Sequence, residues 1–268
     1  MSAPPGAPDP YTLTGHVALV TGAGQGVGRA IAHRCAGLGA TVVVNDFHLH
    51  RAEEVVAELT GLGHPASAAS GDVTDFDAVQ AMVADISGRV GVVDVLVNNA
   101  GNAGASGGPL FGQPPFWETG PQDWERWLGT NLFGVLNTTR AVLPHMVAHG
   151  WGRIVSIVSD AGRVGAADLV VYSGAKAGAA GFSRALARAV GRHGVTVNCV
   201  ALGSMNTDSV AEVTGDPATL KKVLSGYPVR RLGEPADAAN MVGFLASDAA
   251  SWITGQTYPV NGGYSFAV

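Results

Sequence analysis

Charge is scarce in this 268-residue chain: only 14% of its residues are Asp, Glu, Lys or Arg. A surface so poor in charge suits a chain partly covered by another subunit. The formal balance is −5, which argues against the basic footprint of a nucleic-acid or anionic-membrane binder. Cysteine is nearly absent. Cys35 and Cys199 make no disulfide framework, and both sit in apolar stretches, as small buried hydrophobes do. No apolar run reaches the ~20 residues of a membrane span. Residues 1–10 lack the basic and apolar regions of a signal peptide. The expectation is a cytoplasmic protein with a mobile Pro/Ala-rich tail over residues 1–13. The eight histidines show no ligand spacing, so no metal is expected.

What the chain does have is apolar residues, 47% of the total, in a repeated strand–turn–helix rhythm. His16–Thr21 is an unbroken apolar run, as expected of a strand buried on both faces. A helix follows from about Val27 to Leu38, with Gly39 as its stop. Thr41–Asn45 reads as a strand, 51–62 as a helix and 66–70 as a short strand. Asp75–Arg89 carries Phe76, Val79, Met82, Val83 and Ile86 on one helical stripe. Val92–Val97, Arg153–Ser159, Thr196–Ala201 and Gln256–Val260 complete the strands. Helices are expected over 121–149, from Tyr172 to about His193, and over Pro235–Ala246. This alternation predicts an α/β fold, a parallel sheet covered on both faces, with residues 14–268 as one domain.

Between the first strand and first helix lies Gly22-Ala-Gly-Gln25-Gly26-Val27-Gly28. Glycines here permit a tight turn and let backbone N–H groups reach a pyrophosphate, which the helix N-terminus also favours. Asp46 ends the next strand, where a carboxylate would accept hydrogen bonds from the adenosine ribose and repel a 2′-phosphate. Gln25 offers no cation for such a phosphate. The expected cofactor is NAD rather than NADP.

Tyr172 and Lys176 lie four residues apart, on one face of a helix. A phenol is a poor acid or base near neutrality, with a reference pKa of about 10. An ammonium one turn away should favour the phenolate. The pair is a candidate acid/base device.

With these motifs in this order, the chain resembles the short-chain dehydrogenase/reductase family. The resemblance spans about residues 14–263 and rests on Thr21-Gly-x-x-x-Gly26-x-Gly28, Asp72-Val73, Asn98-Asn-Ala-Gly101, Asn131, Ser159 and Tyr172-x-x-x-Lys176. It implies a Rossmann-type doubly wound sheet of about seven strands, commonly in a homotetramer, with a homodimer as the smaller alternative. It implies Tyr172 as general acid or base, and Lys176 holding the nicotinamide ribose and lowering the phenol's pKa. Ser159 would bond the substrate oxygen, and Asn131 would hold a water that links Lys176 to solvent. Asp72 and Val73 would meet the adenine, and Asn99, Ala100 and Gly101 the adenosine side of the cofactor. Leu202-Gly203 stands where the family often has Pro-Gly, and Thr207 where a threonine often contacts the carboxamide.

Two segments belong to the substrate side. Residues 102–118 leave the fourth strand beside the site, and Phe111, Phe116 and Trp117 are candidates for an apolar wall or a subunit contact. Residues 204–229 are the expected lid. Its cations, Lys221, Lys222, Arg230 and Arg231, do not read as a clamp for phosphate or carboxylate. The expected substrate is therefore a largely apolar secondary alcohol or ketone. The alternatives are a 3-oxoacyl reductase and, in another class, a non-catalytic NAD-binding regulator. Small residues along the Tyr172 helix, from Gly174 to Gly181, suggest a helix-on-helix subunit face.

Overall fold

The strands are β1 (Val17–Val20), β2 (Thr41–Asp46), β3 (Ala66–Ser70), β4 (Val93–Asn98), β5 (Gly152–Ser159), β6 (Val195–Leu202) and β7 (Thr257–Val260). In the computed structural model they form one parallel sheet ordered β3-β2-β1-β4-β5-β6-β7. The structure describes residues 9–101, 112–207, 210 and 215–266. The helices are α1 (Gly26–Gly37), α2 (Leu49–Gly61), α3 (Phe76–Arg89), α4 (Pro121–Leu128), α5 (Gly134–His149), the four-residue α6 (Ala161–Val164), α7 (Val170–Val190), α8 (Pro217–Ser225) and α9 (Pro235–Ala246). None among the described residues is long and apolar enough to cross a membrane.

Both faces of the sheet are buried, and side-chain alternation sorts residues between them. Ala18, Val20, Val42, Val44, Val95 and Val97 pack with Ile31 and Cys35 of α1, Val55 of α2 and Val242 of α9. Leu19, Val43, Leu96 and Ile154 point the other way, to Met82 and Ile86 of α3, Val142 and Met146 of α5 and Val190 of α7. Cys35 and Cys199 are free and fully buried. The chain builds outward from β1 to β3, then returns to the other side of β1 with β4. That reversal opens a crevice beyond the carboxyl ends of β1 and β4, where open α/β sheets bind ligands.

Two expectations change. The segment 121–149 is not one regular helix. A π turn, Gly129–Phe133, separates α4 from α5. The mobile tail does not reach residue 13 either. Leu13 is fully buried, its N–H donates to the Leu38 carbonyl, and Ala249 N–H donates to Pro10 O. One apolar side chain with a pocket behind α1 is enough to dock the segment. Residues 1–8 lie outside the described residues.

Candidate active site

The glycine loop follows from backbone geometry. Gly22 and Gly26 have φ of +59° and +55°, a region that L side chains disfavour. A Cβ on Gly22 would lie 2.8 Å from Ala100 Cα, so the loop and the β4 end touch through backbone. Gln25 makes no side-chain cap, and the first turn of α1 contains no acid. The N-terminal N–H groups of α1 therefore face the crevice with their positive dipole end. Thr207 Cγ2 lies 3.5 Å from where a Cβ on Gly26 would sit, so the start of the lid arches over this loop. Val27 packs against the α1-side core.

Asp46 is buried at the end of β2. Its carboxylate accepts from Gly24 N–H at 3.1 Å and His48 N–H at 3.0 Å. It thereby ties the glycine loop to the next βα turn. Asn99 does the same from β4: its Nδ2 donates to Thr21 O at 3.0 Å and Gly22 O at 2.9 Å. The N–H groups of Asn99 and Ala100 both donate to Thr21 Oγ1 at 3.1 Å. Asn99, which the resemblance places on the adenosine side of the cofactor, thus uses its side-chain nitrogen to shape the loop. Asp72 accepts from Thr74 N–H and Thr74 Oγ1. Val73 is buried, and its carbonyl accepts from Asn137 Nδ2.

The reacting end gathers at the ends of β4 and β5. Ser159 closes β5, and Tyr172 of α7 hydrogen-bonds to it. Ser159 Oγ also accepts from Ala161 N–H at 3.1 Å. Lys176 is 4% exposed; its Nζ donates to Ile157 O at 2.9 Å and lies 5.7 Å from the Tyr172 ring centroid. Asn131, fully buried in the π turn, donates from Nδ2 to Trp127 O at 2.9 Å. A Cβ on Gly101 would sit 3.1 Å from Asn131 Oδ1 and 3.2 Å from Lys176 Nζ. Glycine at 101 is what lets these two groups flank the β4 end. The structure therefore brings Asn131, Ser159, Tyr172 and Lys176 into one cluster.

Electrostatics correct one expectation. Burial pushes the Tyr172 phenol above its ordinary value, and the hydrogen bond to Ser159 opposes this without cancelling it. The lowering foreseen from Lys176 does not dominate. The ammonium is itself desolvated, and its pKa falls to about 8.

A pocket opens beside Tyr172. Its walls are the 113–119 segment, α4 and residues 167–171. Phe116 stacks on Trp124, with centroids 5.5 Å apart, and Trp127 meets the Tyr172 ring edge-on at 5.8 Å. Phe116 thus walls this pocket, as foreseen. Trp117 is 83% exposed and does not; Phe111 lies outside the described residues. Trp124, Arg126 and Trp127 were missed. Two tryptophans three residues apart on a short helix were the available signal. Arg126 Nη2 donates to Gln113 Oε1 at 2.6 Å, and its Cζ lies 5.2 Å from the Trp127 ring.

The segment expected to be a lid is anchored on either side of its described residues. Met205 pairs with Gly233 and is buried; Tyr227, also buried, accepts from Ser204 N–H and donates to Ser204 Oγ. Gly203 fits closely between Asn261 and Tyr227. Arg230 and Arg231 bond carbonyls of their own segment, and Arg231 pairs with Asp237. In the small-residue run of α7, Ala175, Ala179 and Ala180 pack inside the chain, while Gly174 and Ala177 are exposed.

A family model described as enoyl-(acyl carrier protein) reductase matches residues 22–265. The chain is 40% identical to (2S)-((R)-hydroxy(phenyl)methyl)succinyl-CoA dehydrogenase subunit BbsD of Thauera aromatica, over 94% of this chain and 98% of that one. It is 38% identical to 3-oxoacyl-(acyl-carrier-protein) reductase of Pseudomonas aeruginosa, over 94% and 98%. Among solved structures, a gluconate 5-dehydrogenase from Burkholderia cenocepacia, in complex with NADP and tartrate, superposes with a TM-score of 0.89. That match has 31% identity and covers 97% of this chain and 99% of that one.

Proposed function

Because the chain belongs to the short-chain dehydrogenase/reductase family, we propose that it is an NAD-dependent oxidoreductase of a largely apolar secondary alcohol or ketone, with Tyr172 as its proton donor and acceptor. Interconversion of hydroxyl and keto groups with a nicotinamide dinucleotide is the activity it shares with its relatives. The observation that carries the assignment of roles is the convergence of Ser159, Tyr172, Lys176 and Asn131 at the carboxyl edge of the sheet.

The residues fit a dinucleotide. The uncapped start of α1, with the Cβ-free loop at Gly22 and Gly26, suits a pyrophosphate. Lys176 would hold the nicotinamide ribose, and Gly203 and Thr207 lie where the far end of the cofactor would reach. Asp72, Val73, Asn99 and Ala100 would line the adenosine side, while Gly101, beside Lys176 and Asn131, would lie nearer the nicotinamide ribose than the resemblance implies. When bound, the nicotinamide supplies or takes up the hydride. In carbonyl reduction Tyr172 gives its phenolic proton to the substrate oxygen, and Ser159 hydrogen-bonds that oxygen as charge develops. Lys176, then a water held by Asn131, returns the proton to the phenol. Oxidation runs the same steps in reverse.

Asp46 supports NAD: a 2′-phosphate beside it would meet a carboxylate. One observation favours NADP instead. Arg51 Cβ lies against Gly24, next to Asp46, so this chain carries a cationic side chain rooted at that corner. Comparing kcat/KM with NADH and NADPH decides. A preference for NADH that relaxes in Asp46→Ala is expected; a preference for NADPH that is lost in Arg51→Ala overturns the assignment. The Pseudomonas relative supports a second substrate reading, 3-oxoacyl thioesters, which a panel of thioesters and free ketones separates. Exposed Trp252 and Phe266, with Gly174 and Ala177 on α7, support a homotetramer or homodimer. The two free buried thiols suit a cytoplasmic protein.

A further inference from the structure

We infer that Arg126 is a specificity residue: it anchors a carboxylate on the substrate, at the end of the pocket away from Tyr172. This rests on the reading of Tyr172 as the reacting group and adds a substrate class to it.

The pocket walls are mostly aromatic and aliphatic, and Arg126 lines it too. Its Nη2 bonds the neutral Gln113 amide, and its Nε is buried with no hydrogen-bond partner among the described residues. No acidic side chain among them pairs with this guanidinium, although the cations Arg29, Arg89, Arg153, Arg163 and Arg231 each have an acidic partner. A guanidinium that borders a pocket and has no acidic partner is a ready counter-charge for a ligand carboxylate. The guanidinium is planar and forked, which matches a carboxylate through two parallel bonds. Asp123 and Asp168 also border the pocket, but both are exposed, and Asp123 already accepts from Gly120 N–H at the start of α4. Solvent screens exposed acids more than a half-buried arginine.

Geometry bounds the substrate. Arg126 Cζ lies 5.2 Å from the Trp127 ring, and that ring lies 5.8 Å from the ring of Tyr172. Arg126 and Tyr172 thus both border Trp127, so a substrate with its carboxylate at Arg126 and its reacting carbon at Tyr172 would lay its apolar body along Phe116, Trp124 and Trp127. An apolar or aromatic keto acid or hydroxy acid has that shape. Arg126 lies on α4, outside the 204–229 segment whose cations did not read as a clamp.

The test separates this anchor from the chemistry. The full chain with NADH is titrated with 4-phenylbutyrate and with 4-phenylbutyramide, following the fluorescence of the pocket tryptophans. Affinity for the acid is expected to exceed that for the amide by about 10- to 100-fold, the range of a charged hydrogen-bonded pair. Arg126→Met should collapse the ratio to about one, and Arg126→Lys, a charge without the fork, should keep part of it. Equal binding of acid and amide by the native chain overturns the inference, as does an unchanged ratio in Arg126→Met, whether or not ketones turn over. Absence of turnover with a binding ratio intact would instead count against the catalytic reading.

Discussion

Replacing Gly28 by alanine should damage the dinucleotide loop without touching any group that does chemistry. Gly28 is buried in the first turn of α1. A Cβ there would lie well inside contact of the Gly22 carbonyl oxygen and of Asn99 Nδ2, and 2.9 Å from Ala23 Cα. Two of these are backbone atoms of the loop. The third is the nitrogen that holds the Thr21 and Gly22 carbonyls. Either Asn99 withdraws and leaves buried acceptors unmet, at about 1–3 kcal/mol, or the loop retreats, with an overpacking cost of about 1–3 kcal/mol. Alanine returns up to ~1 kcal/mol of helix propensity. The net loss should be about 0–3 kcal/mol. Gly37, in the same helix, is the control: a Cβ there meets nothing within 4 Å. Urea unfolding and NADH titration of both variants are the assays. Gly28→Ala should unfold at lower urea and bind NADH at least about tenfold more weakly, while Gly37→Ala should be as stable as the native chain or slightly more so. A Gly28→Ala variant with native stability and native NADH affinity would refute the close-approach argument.

Two further outcomes are expected. Tyr172→Phe should lower kcat by about 10²–10⁴-fold, the range of general acid–base catalysis, with NADH affinity little changed; near-native turnover would remove the phenol from the mechanism. For Lys176, burial lowers the pKa from 10.5 to about 8. Between those values the unfolded chain holds a proton that the folded chain has released, so this residue's contribution to stability rises with pH across that window. Native protein should therefore gain on Lys176→Met by about 3 kcal/mol between pH 8 and 10.5. Urea unfolding at both pH values checks this, and a pH-independent gap would contradict it.

Some of this was legible in residue order. Residues 66–70 and Pro235–Ala246 match their elements, the second because proline at the first helical position marks a start. That the strands form one parallel sheet follows from the βα rhythm, whereas their order along it does not. The cluster of Ser159, Tyr172 and Lys176 also follows, because strand ends and one helix face fix where side chains go. Other features depend on distant segments meeting. The Arg126 pocket forms only when residues 113–119 and 167–171 close around α4, which no local pattern announces. The upward shift of Tyr172 comes from burial, and spacing to Lys176 says nothing of burial. Leu13 gave no periodic signal, being one apolar residue after a polar run.

The wide turn at Gly129–Phe133 accommodates a residue beyond what a regular α-helix would hold, so α4 and α5 can each keep their own inward side. Trp127 stays beside Tyr172, and Val142 and Met146 stay under the sheet. It is also this bulge that carries Asn131 to the β4 end, where Lys176 lies. Foldedness and turnover thus answer to different stretches of one continuous rod, and selection could erase the second while the first survived intact.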